Sequence, residues 1–474
     1  MINLLIILHI YFVSFLDRPE KTAPQLSERA WEQRERWKIP TDQMDYPVSP
    51  MYQNELRKMG VKIHHVSRWF NGATCEMDQD LAAKVEDLDF VTGVEMTRMD
   101  EQEEPVSLIK KRSVGTEIIR NTDELIDMTL EQLRLYNLQP LHEAGFEGQG
   151  ILMAVCDGGF HNANTLDCFR QDELEVGHFD FTDDKDDFYG STGRHGTQCL
   201  STISGYIENG TLYTGAAMKA QYVLMRSEEN DTESPKEMDN FVAALEKADS
   251  LGVNVFSVSL GYYEFDYSAW DLPKSKLNGK STRASLAATI AARKGMLVCV
   301  AAGNEGDNRW RTICVPGDAD SVLTVGAVDF DGNIAGFSSR GPSADGRIKP
   351  EVCAVGVDAN VISPLGSIVQ NSGTSFATPL IAGLAASLWS ALPEENAMQI
   401  RDRIIRSADR YSDPDPQKYG YGIPNAWKAY TNGEGATVNN DWIEPEPPQK
   451  IIRGDQILII RHGHIYNLAG QKIE

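Results

Sequence analysis

Over residues 148–430, short β-branched runs (ILMAVC, AQYVLM, VNVFSVSL, MLVCVAA, SVLTVGAV) alternate with stretches whose apolar residues recur at helical spacing, such as MDNFVAALEKADSLG and TRASLAATIAARKG. Near-continuous apolar strands between amphipathic helices predict an α/β fold with a mainly parallel sheet covered on both faces. In such sheets ligands bind outside the carboxyl ends of the strands. One apolar stretch breaks the rhythm. NSGTSFATPLIAGLAASLW, residues 371–389, predicts a buried helix over 374–392, yet it opens on Gly-Thr-Ser and places Pro379 near its first turns. Small residues at 377, 382, 383, 385 and 386 let that helix pack deep against the sheet. Packing does not explain the hydroxyls at its mouth.

Other patterns flank this region. Residues 4–16 form an apolar block too short to span a bilayer but long enough for the core of a secretory signal. No Lys or Arg precedes it and no small-x-small site ends it, and a buried strand is the alternative. The division read from the pattern is a signal peptide at 1–16, a polar lead at 17–51, a small α/β unit at 52–98 and a linker at 99–129. The main domain follows at 130–430, and a Pro-containing linker with a small β unit occupies 431–474.

Composition changes this picture little. The chain has 474 residues, enough for two or three domains. With 45 basic and 69 acidic side chains its net charge is −24, which repels nucleic acid and anionic membrane as partners. Seven cysteines show no zinc spacing, and Cys156 and Cys299 lie inside apolar strands as buried thiols.

The strand exits carry the chemistry. Asp157 follows ILMAVC, Ser259-Leu260-Gly261 follow VNVFSV, and Asn304 follows MLVCVAAG, while His195 opens a helical pattern behind glycines. Singly, each is an ordinary turn former, cap or structural histidine. Together with Ser375 they make a set that reaction chemistry requires. A serine hydroxyl needs an adjacent imidazole to take its proton, and the imidazole needs a carboxylate to hold its tautomer. The oxyanion needs preorganised donors, such as a helix-terminal N–H and an Asn amide.

These residues stand in DGGF (Asp157), HGT (His195), AAGNEG (Asn304) and GTSFATPLIAG (Ser375), and the chain resembles the subtilisin-like serine proteases, the subtilases. The Asp, His, Ser order agrees, as do FSSRGP, KPEVCAVG and YGYGIPNAWKAY further along. The resemblance runs over roughly 130–430. It implies a doubly wound, subtilisin-like sheet and a secreted endopeptidase in which Asp157 orients His195 and Ser375 attacks the scissile carbonyl. Asn304 and the Ser375 N–H would then bind the oxyanion. It also implies pocket walls at Ser259, Leu260, Gly261, Ala301, Ala302 and Gly303, with Glu305 near the base, reading extended peptides by strand addition. Departures are Gly158 in place of the family's Ser or Thr, Gln198 in place of a second His, and Cys156 beside Asp157. A catalytically silent binding protein on the same scaffold is the competing reading, disfavoured because all four reacting or oxyanion-binding residues are present.

The 52–98 unit weakly resembles the family's folding-assisting, inhibitory propeptide, with self-cleavage expected between about 98 and 117. Reaction chemistry requires no cofactor. Calcium, bound by many subtilases, is weighed at the acidic loop carrying Asp180, Asp183, Asp184, Asp186 and Asp187. The final HIYNLAGQKIE resembles the ends of secreted proteins of Bacteroidetes-type bacteria.

Overall fold

The computed structural model describes residues 8–19, 22–99, 116–117, 126–169, 175–183, 187–431, 449–453, 456–461 and 464–467. The N-terminal domain runs β1 (His9–Phe15), α1 (Glu28–Trp37), α2 (Pro50–Lys58), β2 (Lys62–Ser67), β3 (Gly72–Met77), α3 (Gln79–Glu86) and β4 (Val91–Arg98). Its sheet order is β2-β3-β1-β4, and β1 pairs antiparallel with both β3 and β4. Ser49 caps α2 at Tyr52 N–H and Asp78 caps α3 at Leu81 N–H, which satisfies donors that the first turns leave open.

Two boundaries read from the sequence are corrected here. The apolar block assigned to a signal at 1–16 supplies a central strand, and cutting after residue 16 would remove the middle of the sheet. Tyr11, Val13 and Phe15 pack on α2 and α3, while the Phe12 ring lies under the Arg283 guanidinium of the large domain, 4.3 Å from its centroid. A strand buried on both faces reads as a continuous apolar run, the same pattern a signal's core shows. The lead at 17–51, read as a polar lead, contains α1 and is held against the large domain. Arg29 donates to the Gly252 carbonyl and to Asn254 Oδ1, and Arg34 is 3% exposed between Asp45 and Asp249.

The large domain begins with β5 (Thr116–Glu117), β6 (Ile126–Asp127), α4 (Leu130–Arg134) and α5 (Gln139–Glu143). It continues through β7 (Leu152–Asp157), β8 (Glu175–Asp180), α6 (Arg194–Ser204), β9 (Tyr206–Glu208), β10 (Thr211–Thr214), β11 (Gln221–Arg226) and α7 (Lys236–Leu251). Next come β12 (Val255–Val258), α8 (Arg283–Arg293), β13 (Leu297–Ala301), β14 (Leu323–Val328), β15 (Val352–Val355), β16 (Ala359–Ile362) and β17 (Ile368–Asn371). Helices α9 (Thr374–Ala391), α10 (Ala397–Ser407) and α11 (Ala426–Thr431) close it.

Its main sheet has seven strands in the order β15-β14-β13-β12-β7-β11-β8, paired in parallel throughout. Side chains alternate between two cores. Met153 and Val155 face the core of α6, α9 and α10, while Leu152, Ala154 and Cys156 face that of α7 and α8. Residues 374–389 of α9 are all buried, so this helix is enclosed on every side. All seven cysteines are buried and unbridged.

Residues 434–474 form a separate unit, with β18 (Gln449–Arg453), β19 (Gln456–Arg461) and β20 (His464–Asn467) in an antiparallel meander. The terminal residues 468–474 lie outside the described residues. No described helix is long and apolar enough to cross a membrane.

Candidate active site

Asp157 is the last residue of β7, and its side chain is 1% exposed at the carboxyl edge of the sheet. His195 is the second residue of α6, a helix that approaches β7 closely because it has Gly196 at the contact. A Cβ there would sit 2.2 Å from the Gly159 carbonyl oxygen. The two meet as the sequence predicts: His195 Nδ1–H donates to Asp157 Oδ1 at 2.9 Å and to Oδ2 at 3.0 Å. An ionised carboxylate only accepts, so Nδ1 carries the proton and the Nε2 lone pair is left for other work. The Gly158 N–H also donates to Asp157 Oδ1, at 2.9 Å.

Burial disfavours the imidazolium of His195. The Asp157 charge opposes burial and wins, so the pKa of His195 stands well above its ordinary value.

Ser375 is the second residue of α9 and is 7% exposed. Pro379, four residues on, has no N–H, so the Ser375 carbonyl lacks its helical partner. Two side chains fill the gap: Ser259 Oγ donates to that carbonyl at 2.8 Å and Cys199 Sγ at 3.3 Å. Cys199, one turn after His195 on α6, also lies 3.8 and 3.9 Å from the two ring nitrogens. The break made by Pro379 thus ties the nucleophile helix to the β12 exit and to the histidine helix. The Ser375 hydroxyl donates to the Ser259 carbonyl at 3.4 Å, and no hydrogen bond joins it to His195 in this state. The His195 and Phe376 rings lie 5.7 Å apart between centroids, which places the histidine beside the first turn of α9.

Asn304 follows the β13 exit. Its Oδ1 accepts from the Thr374 N–H at 2.8 Å and from Thr374 Oγ1 at 3.0 Å, which assigns the amide orientation and releases Nδ2. That nitrogen lies 3.7 Å from where a Cβ on Gly373 would sit. The Ser375 N–H has no acceptor among the described residues, so two donors border the space over Gly373. Thr374 was not singled out in the sequence, although its place in Gly-Thr-Ser is the signal that could have found it.

The residues expected to wall the pocket continue β12 and β13 beyond the sheet. Leu260, Ala301 and Ala302 are at most 5% exposed, so their side chains are packed into the protein. Gly303 has φ +102, and a Cβ on it would meet Cys314 Sγ at 2.6 Å. A Cβ on Gly261 would meet the Cys314 Cβ at 2.9 Å. Cys314 therefore lies against both glycines, and nothing in its local sequence marks that place. Glu305 is 1% exposed and accepts from Tyr263 OH at 2.9 Å and from the Asn308 amide, which anchors it behind the wall.

Two of the departures acquire partners. Gln198 Oε1 accepts from Asn371 Nδ2 at 3.0 Å, joining α6 to the strand before the nucleophile. Cys156 turns into the opposite core, with Sγ 3.1 Å from Ser227 Oγ. At the acidic loop, Asp180 pairs with Arg226, and Asp183 with Lys236 and His64. Asp184 and Asp186 lie outside the described residues. Asp180 and Asp183 are thus committed to side chains of the protein itself.

Comparison with known proteins agrees with this geometry. A model of the subtilase family of S8 peptidases matches residues 148–422. A model of the S8 peptidase propeptide domain from Bacteroidota matches residues 10–111, consistent with a domain that starts at β1. Serine protease AprX of Bacillus subtilis is 29% identical over 312 residues, covering 59% of this chain and 66% of AprX. A thermostable alkaline protease of Halalkalibacterium halodurans is 29% identical over 323 residues, 68% of this chain and 79% of its own length. Subtilisin DY of Bacillus licheniformis is 30% identical over 286 residues, 59% and 91% respectively. With a family model covering more than half its length and the family's residues gathered at one sheet edge, the chain belongs to the subtilase family of serine endopeptidases and carries that family's propeptide domain ahead of the protease domain.

Proposed function

We propose that the protein cleaves peptide bonds through an acyl-enzyme, with Ser375 as nucleophile. His195 Nε2 takes the hydroxyl proton as the oxygen attacks the scissile carbonyl, and the imidazolium then passes that proton to the leaving amine. A water enters, gives its proton to His195 and releases the acid. Asp157 holds the imidazole with Nε2 toward the cleft and stabilises its charged form. The oxyanion receives Asn304 Nδ2–H and the Ser375 N–H, donors in place before the charge develops. The observation that carries this reading is the hydrogen-bonded Asp157–His195 pair facing a serine whose neighbouring N–H and Asn amide are both uncommitted.

The substrate lies extended between the β12 and β13 exits, its acyl-side residue bordered by Ser259, Gly261 and Gly303 above Cys314. Backbone pairing reads little sequence, in keeping with broad specificity for protein and peptide substrates. A large apolar residue fits the walls, and Glu305 behind them extends the range to basic side chains. The propeptide domain covers α7 and α8 and inhibits the enzyme until a cut between about 98 and 117 frees it, with the enzyme working outside the cytoplasm.

A fluorophosphonate probe tests the chemistry. It should label the wild type and leave Ser375→Ala unlabelled. Persistent labelling of the variant would remove Ser375 from its role. Ser375→Ala should also stay full length while the wild type loses its N-terminal domain; equal processing would assign the cut to another protease.

A further inference from the structure

Gln198 stands where the subtilase motif carries a second histidine, and it takes no part in the proton transfers above. It lies on α6 three residues after His195, a step of about 4.5 Å along the helix axis. Its partner Asn371 is the last residue of β17, four residues before Ser375. Both side chains are 3% exposed. Gln198 Oε1 accepts from Asn371 Nδ2 at 3.0 Å, and Asn371 Oδ1 is buried without a hydrogen-bond partner. The Asn371 amide therefore depends on a single bond. Without it the whole amide would be stranded away from water, and the end of β17 would have to move to satisfy it.

The anchors around the nucleophile say what that movement would disturb. The Gly373 N–H donates to the Gly356 carbonyl at 2.7 Å, the Thr374 N–H to Asn304 Oδ1, and Ser259 Oγ to the Ser375 carbonyl. Those partners follow β15, β13 and β12, so they fix the turn to the sheet and leave its distance from α6 to other bonds. Among the described residues, two side chains of α6 make hydrogen bonds to residues 371–375. One is Cys199, whose thiol is a weak donor to the Ser375 carbonyl at 3.3 Å, and the other is Gln198. Three residues further along α6, Ser201 Oγ accepts from the Ile362 N–H at 2.9 Å, so the helix also grips the strand paired with β17. His195 is held by Asp157 and is not free to follow a moving serine. The Ser375 hydroxyl bonds to the Ser259 carbonyl at 3.4 Å in this state, so reaction requires an approach to the imidazole whose length these anchors set.

We propose that Gln198 is a positioning residue for the reaction: through its bond to Asn371 it holds residues 372–375 at the distance from α6 at which the Ser375 hydroxyl can reach His195 Nε2. This rests on the protease reading above. A histidine at this place would titrate one helical step from the catalytic imidazole, and its positive charge would oppose the imidazolium that forms during the reaction. An amide makes the same bond without ever ionising. It thus leaves the charge balance of His195 to Asp157.

The test uses matured enzyme, with kcat expressed per site labelled by the fluorophosphonate so that unprocessed molecules do not count. Gln198→Met keeps the length of the side chain and removes the acceptor. It should lower kcat at least about tenfold with KM within about twofold of wild type. Asn371→Leu should do the same, and the double variant should be no worse than either single one. Gln198→Glu restores the acceptor and should return kcat to within about threefold of wild type on the alkaline plateau, while its charge moves the acid limb of kcat/KM to higher pH. A role in folding alone predicts wild-type kcat per labelled site in both single variants, and that result overturns the proposal. Losses that multiply in the double variant overturn it too. Should a single variant fail to mature, added wild-type enzyme cuts it and an affinity tag separates the two; degradation in that step assigns the bond to folding and likewise overturns the proposal. Wild type that neither cleaves peptides nor takes the label would instead sink the protease reading.

Discussion

Around α9, Phe376, Leu380, Ile381, Leu384 and Leu388 are at most 1% exposed, with no polar side-chain atom among them. Along the seam between the propeptide and protease domains, Arg34, Asp45, Arg68, Glu246, Asp249 and Lys294 are at most 8% exposed, and every one carries an ionisable group. Arg34 joins Asp45 to Asp249 at 2.9 Å each, Arg68 reaches Asp249 at 2.7 Å, and Lys294 reaches Asp45 at 2.8 Å. Glu246 accepts from Ser67 Oγ and from the Arg68 and Trp69 N–H groups.

The two surfaces differ in what separation would cost. An apolar core stabilises in proportion to area removed from water, and it never separates in the life of the protein. Buried ion pairs gain little net stability, because desolvation offsets their attraction, but both sides rehydrate readily when parted. A seam of paired charges therefore suits a domain that must dock in one register and later leave. The enclosed helix suits a nucleophile that must not move.

Experiments that break this comparison are best done on the Ser375→Ala protein, which cannot digest itself. Asp249→Ala leaves Arg34 and Arg68 short of a partner and should weaken docking of the propeptide domain by about 3–5 kcal/mol. The readout is lost hydrogen-exchange protection in β1–β4 with the protease core unchanged. Leu380→Ala should do the reverse, destabilising the protease core by about 2–5 kcal/mol in denaturant unfolding while the seam stays protected. If Leu380→Ala loosened the seam as much as the core, the two surfaces would not be separable units. Asp249→Asn keeps an acceptor but not the charge and should cost less, about 1.5–3 kcal/mol, by the same exchange measurement.

The smallest effect concerns pH. Since Asp157 raises the pKa of His195, the neutral base is lost as pH falls through a value above 6.5, so the acid limb of kcat/KM should lie on the alkaline side of an ordinary histidine. A proton titration of the His195 ring by NMR should show the same midpoint, and Asp157→Asn should bring it down.

Much of this was legible in the chain. The alternation of apolar strands and helices revealed the parallel sheet, and the residues at its exits pointed to Asp157, His195, Ser375 and Asn304, of which the structure pairs His195 with Asp157. The buried face of Cys156 followed from strand alternation. Three things were not legible. Residues 4–16 looked like a signal because a doubly buried strand and a signal core share one composition. Helix α1 looked like a polar lead because its charged residues find their partners more than two hundred positions away, at Asp249 and Gly252. Cys314 carries no local mark, since it lies beneath two glycines from other parts of the chain.

What the sequence determined by itself was local: where strands and helices form, and which residue types stand at their ends, because periodicity and backbone preference act within a few positions. What only the tertiary structure decided was which side chains take the carbonyl that Pro379 leaves open and which charges pair across the seam. Those contacts depend on chain segments far apart in sequence being packed against one another, and no short-range pattern records them.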